Sequence, residues 1–147
     1  MSNQRSGSVL FLLDRTLRQM RHSLQVHLNE KNVKLTVDQW ILLNEASSSG
    51  VISHNELSKR VSKDPASVTR IVSSLEELKL IARIPSKKDQ RVLLLKVTAA
   101  GRKELQQAAA AIQNYRKSVL KGIEKEELLH VKMLLDKMFE NTGGTLI

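Results

Sequence analysis

Six side chains in this sequence have the types and spacing to bind a polyanion: Ser67, Thr69 and Arg70, then Lys87, Lys88 and Arg91. An arginine fork can donate two parallel hydrogen bonds to a guanine edge, small hydroxyls bond base edges or phosphates, and lysine supplies point charge. No acidic residue stands between Asp64 and Glu76, so the first three are carried on a stretch that does not repel phosphate. Asp89 lies two residues before Arg91 and is placed to hold its guanidinium by a bidentate pair. Taken alone, the Lys87–Arg91 tip has a plainer reading, a solvated turn.

These groups need elements to present them. "SKDPASVTRIVSSLEELKL", Ser62 to Leu80, reads as a helix with Asp64 as N-cap and Pro65 at the first helical position, ending near Lys79. Val68, Ile71, Val72, Leu75 and Leu78 recur at helical spacing and form its core stripe. Opposite them Ala66, Ser67, Thr69, Arg70, Ser73 and Ser74 make a lean surface, where a solvated helix usually carries long Glu and Lys pairs. Just upstream, Ser53 with Glu56 three residues later reads as a capping box opening a short helix, Ser53 to Val61. Downstream, "LIARIPS" and "VLLLKVT" are strand-like runs around the polar tip "KKDQR", and Pro85 marks the first as an edge strand. Helix, tight turn, helix and hairpin is the order of a helix-turn-helix with a wing. In that motif the second helix enters the major groove with its N-terminal half. A groove about 12 Å wide just admits a helix about 10–12 Å across, so a lean face is what the fit requires. The wing cations reach an adjacent minor groove, where a narrow A·T stretch attracts arginine.

The flanks are helical too. Leu10, Leu13, Leu17, Met20 and Leu24 step by three and four along a first helix, about Ser8 to Asn29; this seam either packs on a partner chain or caps its own core. "KLTVDQWILLNEASSSG" reads as a second helix capped by Thr36, with Val37, Trp40, Ile41 and Leu43 buried and Gly50 at its end. Val51-Ile52 is expected to make no more than one sheet bridge. Thr98 caps a long helix, Ala99 to about Lys121, with Leu105, Ala108, Ala109, Ile112 and Val119 along one side. A last helix, about Glu124 to Glu140, carries Leu128, Val131, Leu135 and Met138 at helical spacing.

Composition narrows the function classes. The chain has 147 residues, 41% hydrophobic, enough for one domain with a real core. It carries 24 Lys and Arg against 15 Asp and Glu, a net charge of +9, and the excess peaks in residues 53–98, with 10 basic and 5 acidic side chains. That basic zone points to nucleic acid or an anionic surface. With no cysteine, disulfides, iron–sulfur clusters, Cys-ligated zinc and thiol redox sensing are excluded. No apolar run approaches the roughly 18 residues of a membrane span. Val9–Leu13 lacks a following small-residue cleavage site, so a cytoplasmic location is expected. His22, His27, His54 and His130 are scattered; His22 and His27, five apart, face differently, so a zinc pair from them alone is not expected. A metal site would need a dimer to gather ligands from both chains. His54 stands either as a phosphate contact or as an exposed residue. No phosphate-cradling glycine loop or nucleophile elbow appears, so neither catalysis nor a cofactor is expected.

From Leu57 to Gly101, "LSKRVSKDPASVTRIVSSLEELKLIARIPSKKDQRVLLLKVTAAG" resembles the winged-helix core of MarR-type transcriptional regulators, most specifically in "SVTRIVSSLE", Asp89-x-Arg91, Val97-Thr98 and Gly101. The resemblance extends to the flanking helices. It implies a mainly α fold with a small β-hairpin wing. The winged helix-turn-helix would span residues 35–101, flanked by helical dimerisation regions at 1–34 and 102–147. It also implies a homodimer on a pseudo-palindromic operator, most simply a repressor. Candidate DNA contacts are then Ser53, Lys63, Ala66, Ser67, Thr69, Arg70, Ser73, Lys87, Lys88, Asp89 and Arg91. Dimer residues are Leu10, Leu13, Leu17 and Met20 with Leu128, Val131, Leu135 and Met138. Such proteins often bind a small aromatic acid or phenol, for which Phe11, Met20, Trp40 and Tyr115 are candidate lining residues, although Phe11 and Trp40 are more simply core. One departure stands out. The family has glycine before the leucine that opens the first wing strand, and here that position is Lys79, so an altered turn is expected there. The competing function is a winged-helix module that docks an acidic protein without DNA sequence preference.

Overall fold

A computed structural model describes residues 8–145; residues 1–7 and 146–147, the outer ends of the expected dimerisation regions, lie outside it. The chain divides into two compact units, Met1–Tyr115 and Arg116–Ile147. The elements in chain order are α1 (Val9–Glu30), α2 (Val37–Ser49), β1 (Val51–Ser53), α3 (His54–Arg60), α4 (Pro65–Glu77), β2 (Ile81–Pro85), β3 (Leu93–Val97), α5 (Ala99–Val119) and α6 (Lys125–Asn141). The boundary between the units falls within α5.

In the first unit, helix starts follow their caps. Thr36 Oγ1 accepts from the Gln39 N–H and the Gln39 amide oxygen accepts from the Thr36 N–H, a reciprocal box. Ser53 and Asp64 accept from the N–H groups of Glu56 and Ser67. The expected box at Ser53 is half-formed, because the Glu56 carboxylate turns to Arg60 instead. Thr98 Oγ1 accepts from the Gly101 N–H at 3.0 Å and opens α5.

The sheet has the order β1-β3-β2, all antiparallel, so β2 with Pro85 is indeed an edge. Val51-Ile52 belongs to a three-residue strand rather than a single bridge: Val51, Ile52 and Ser53 pair with Lys96, Leu95 and Leu94. Central β3 would otherwise leave one edge unpaired, and the pairing drives Ile52 into the core.

The core joins Leu28, Leu35, Leu42, Leu43, Ile52, Leu57, Val68, Val72, Leu75 and Leu95. On α4 the stripe holds for Val68, Val72 and Leu75, with Ile71 packed at its rim; Leu78 departs from it and is 50% exposed. Leu78 is the helix C-cap, where the chain already turns away from the core. On α2 the buried residues are Val37, Leu42, Leu43 and Ala46, while Trp40 and Ile41 pack at the core margin. That helix buries more than one face, so a single-stripe reading misses Leu42 and Ala46. On α5 the buried alanines are Ala108 and Ala111, and Ala109 is exposed.

Helix ends differ more from expectation. Asn32, Ser62 and Lys79 have φ of 58°, 49° and 59°, the left-handed region, at the ends of α1, α3 and α4. Each is the C′ residue of a six-to-one closure: Val33 N–H to Leu28 O, Lys63 N–H to Ser58 O, and Leu80 N–H to Leu75 O. The turn at Lys79 therefore keeps the conformation a glycine would take, and the expected alteration is absent. Leu80 is buried beyond it, which holds the lysine backbone in place.

In the second unit, α6 opens where Glu127 Oε2 accepts from the Glu124 N–H at 2.9 Å. Its side chains Leu129, Val131, Met133, Leu134, Leu135, Met138 and Phe139 are exposed.

Candidate nucleic-acid interface

Asp64 caps α4 through Ser67 and leaves the first turn of the helix facing outward. Hydrogen bonds from Ser67, with the nearby Arg70 charge adding to them, hold the Asp64 carboxyl below its ordinary range, so it stays ionised and keeps the cap. Ala66, Thr69 and Arg70 are exposed, and Ser67 and Ser73 are half-buried. Arg70 Nη2 reaches Ser67 Oγ at 3.3 Å, which steers the guanidinium along the helix toward its N-terminus. Ser74, read from sequence as part of this lean surface, is turned inward: it donates to Ile71 O and accepts from Gln39 Nε2 at 2.9 Å.

Long-range ion pairs set the attitude of α4. Arg83 Nε on β2 meets both carboxylate oxygens of Glu76, at 2.9 and 3.0 Å, tying the far end of α4 to the wing. Lys63 Nζ lies 3.0 Å from Asp38 Oδ1, which also accepts from Arg21 of α1. Burial pushes the Asp38 carboxyl up, but the hydrogen bonds and charges of Lys63 and Arg21 outweigh it and hold it below its ordinary range. Arg60 braces α3 against α2, bonding Glu56 at 2.7 Å, Glu45 at 3.2 Å and Ser49 at 3.0 Å; the Glu56 and Glu45 bonds raise its pKa further.

The wing tip is built by its own backbone. Ser86 N–H donates to Val92 O at 2.8 Å and Val92 N–H to Asp89 O at 3.0 Å. Asp89 Oδ1 accepts from the Arg91 backbone N–H at 3.0 Å. The expected bidentate pair with the Arg91 guanidinium does not form: the short carboxylate is spent on the local turn, a common use of aspartate. Lys87, Lys88, Asp89 and Arg91 are all exposed. Among the described residues, no carboxylate lies within ion-pair distance of Arg70, Lys87, Lys88 or Arg91.

Ser53 is half-buried, with its hydroxyl in the α3 cap, and Lys63 sits between its Asp38 partner and a groove of about 360 Å³. Asn55, Ser58, Lys59, Ser62 and Pro65 line the same groove. Sequence reading passed over Asn55 and Lys59, although their three- and four-residue spacing from Ser58, Ser62 and Lys63 was visible. It also left His54 undecided; the ring Nε2 lies 3.1 Å from Thr69 Oγ1, a tertiary contact no local pattern announces.

Of the four candidate effector residues, Phe11 and Met20 line an open groove of about 750 Å³ along α1, with Arg15, Arg18 and His22. Trp40 packs at the core margin, and Tyr115 donates to Met20 O at 2.7 Å.

Residues 35–93 match the family model described as MarR family. The chain is 29% identical over 93 residues to the HTH-type transcriptional regulator YdgJ of Bacillus subtilis, covering 63% of this chain and 57% of that protein's length. Among solved structures it superposes on Bordetella bronchiseptica BpsR, whose DNA binding is regulated by 6-hydroxynicotinic acid. The TM-score is 0.85 at 25% identity, covering 94% of this chain and 97% of the other. It shares its fold with a MarR variant from E. coli complexed with operator DNA, with TM-score 0.75, 24% identity and coverage of 88% and 94%.

Proposed function

We propose that the chain, whose residues 35–93 match the MarR family model, is a sequence-specific DNA-binding transcriptional regulator acting as a repressor. The observation that carries this reading is the exposed, slender start of α4, bearing Ser67, Thr69 and Arg70 beside the unpaired wing cations. In this proposal two copies of the chain read the two halves of a pseudo-palindrome about one helical turn apart. Arg70 reads a base in the major groove; Arg91, with Lys87 and Lys88, supplies salt-dependent affinity from the wing. The mechanism is equilibrium binding in the cytoplasm, with no catalytic step. Among the described residues no helix is long and apolar enough to cross a membrane. An acidic protein partner is the weaker reading, since BpsR is described by its DNA binding and the E. coli MarR variant is complexed with operator DNA.

A small aromatic acid acting as effector is part of the same proposal. The α1 groove sets Phe11 and Met20 beside Arg15, while Arg18 in the same lining is paired with Asp14 at 2.8 Å, so Arg15 is the cation offered to an aromatic carboxylate. Such a ligand releases DNA only by binding better to a dimer geometry with mis-spaced α4 helices.

Titration of wild type, Arg70→Ala and Arg91→Ala against a matched and a scrambled duplex, at two salt concentrations, tests the reading. Arg91→Ala is expected to weaken binding to the matched duplex. Arg70→Ala is expected to lose about 1–3 kcal/mol on the matched site and much less on the scrambled one. Equal losses on both would leave Arg70 a phosphate contact and remove the basis for base reading.

A further inference from the structure

We infer that His54 is a positioning residue for sequence reading, making the Thr69 hydroxyl an acceptor-only group on the outward face of α4. This rests on α4 being the groove-reading helix. Thr69 Oγ1 donates to the Pro65 carbonyl at 2.8 Å, the back-bond open to a helical threonine. A hydroxyl has one proton and two lone pairs. With the proton committed to Pro65, the contact between Thr69 Oγ1 and His54 Nε2, 3.1 Å long, has His54 as its donor. That bond fills one lone pair and requires the proton on His54 Nε2.

One lone pair of Thr69 remains. It accepts from the exocyclic amino group of cytosine or adenine and has no proton to offer guanine O6 or thymine O4. Thr69 is exposed, and its hydroxyl bonds His54 and the Pro65 carbonyl, so the remaining acceptor is the one offered outward. Without His54 the hydroxyl is free to rotate off Pro65 and to donate as well as accept, which erases the distinction. His54 thereby acts on base choice from α3 without itself touching DNA.

Selection of bound duplexes from a random pool, run with wild type, His54→Gln, His54→Leu and Thr69→Val, tests this. Wild type is expected to enrich C or A over G or T by about fivefold at one position per half-site, the weight of one neutral hydrogen bond. That position is the one Thr69→Val alters. His54→Gln, which presents an amide N–H close to the place of Nε2, keeps the preference. His54→Leu loses it at that position alone, and the double variant with Thr69→Val loses no more. A bracing role for His54 would lower binding at every position alike, and that result overturns the inference. So does an unchanged pattern in His54→Leu, or a Thr69→Val protein that keeps the preference, or G or T enriched in wild type. In each of these cases sequence-specific binding stands. A wild-type protein that enriches no sequence overturns that reading and this inference together.

Discussion

At the residue scale, single atoms decide how the winged helix is joined and what it can contact. Thr98 shows the first: its hydroxyl donates to Lys79 O at 2.8 Å while accepting the Gly101 N–H, so one side chain stitches the start of α5 to the turn after α4. Gly101 completes the joint. A Cβ added there would lie 2.2 Å from the Leu80 carbonyl oxygen and 2.7 Å from Val97 Cγ1, and the nearer atom is backbone that cannot swing aside. Gly101→Ala is therefore expected to destabilise the fold by about 1–3 kcal/mol, seen as a lower midpoint in denaturant unfolding. An unchanged midpoint would mean that α5 and the wing are not packed this closely. The exposure of Arg70 and Arg91 was readable from residue type alone, since no carboxylate among the described residues draws either guanidinium into an ion pair. The bonding of Ser74 and Asp89 was not, since each has a nearby partner whose position depends on the fold.

At the scale of elements, four helix starts and the glycine end of α2 at Gly50 were legible, and the ends of α1, α3 and α4 were not. Thr36, Ser53, Asp64 and Thr98 are cap-forming residue types, and all four cap in the structure. The ends of α1, α3 and α4 use asparagine, serine and lysine in left-handed geometry, which a search for glycine does not find. The residue after each turn pays that conformational cost: Val33 and Leu80 by burial, Lys63 by its bond to Asp38. Lys79→Gly is accordingly expected to stabilise the protein by about 0.5–1 kcal/mol, the left-handed penalty less the extra entropy of an unfolded glycine. Thermal melts would show the rise; a fall would mean that the lysine side chain contributes more than its backbone costs. The tie between α1, α2 and the turn before α4 passes through Asp38 and adds a pH dependence. A carboxyl held below its ordinary pKa of 3.8 stabilises the fold above that pH and loses its contribution as acid protonates it. Asp38→Asn is expected to lower neutral-pH stability by roughly 0.5 kcal/mol, a value kept small by solvent screening, and to flatten the acid limb of stability against pH. Parallel acid limbs in wild type and variant would contradict this linkage.

At the scale of the whole molecule, the apolar side chains left outside the core bear on assembly. On α1, Leu10 is 76% and Leu17 57% exposed, with Leu13 and Met20 also open. On α6, Val131, Leu135 and Met138 are exposed and Leu128 is half-buried. Exposed apolar stripes of this kind mark interaction surfaces, and the helical spacing along each of the two helices suits a second copy of the chain. A two-fold pair is also what a symmetric DNA site demands, so assembly and recognition are parts of one proposal. The direct measurement is the symmetry of the sequences that wild-type protein selects from a random duplex pool. Two inverted half-sites centred about 10 base pairs apart are the predicted result, with enrichment weakened by Arg70→Ala. A pool with no enriched sequence, or a single half-site without an inverted partner, would contradict the account.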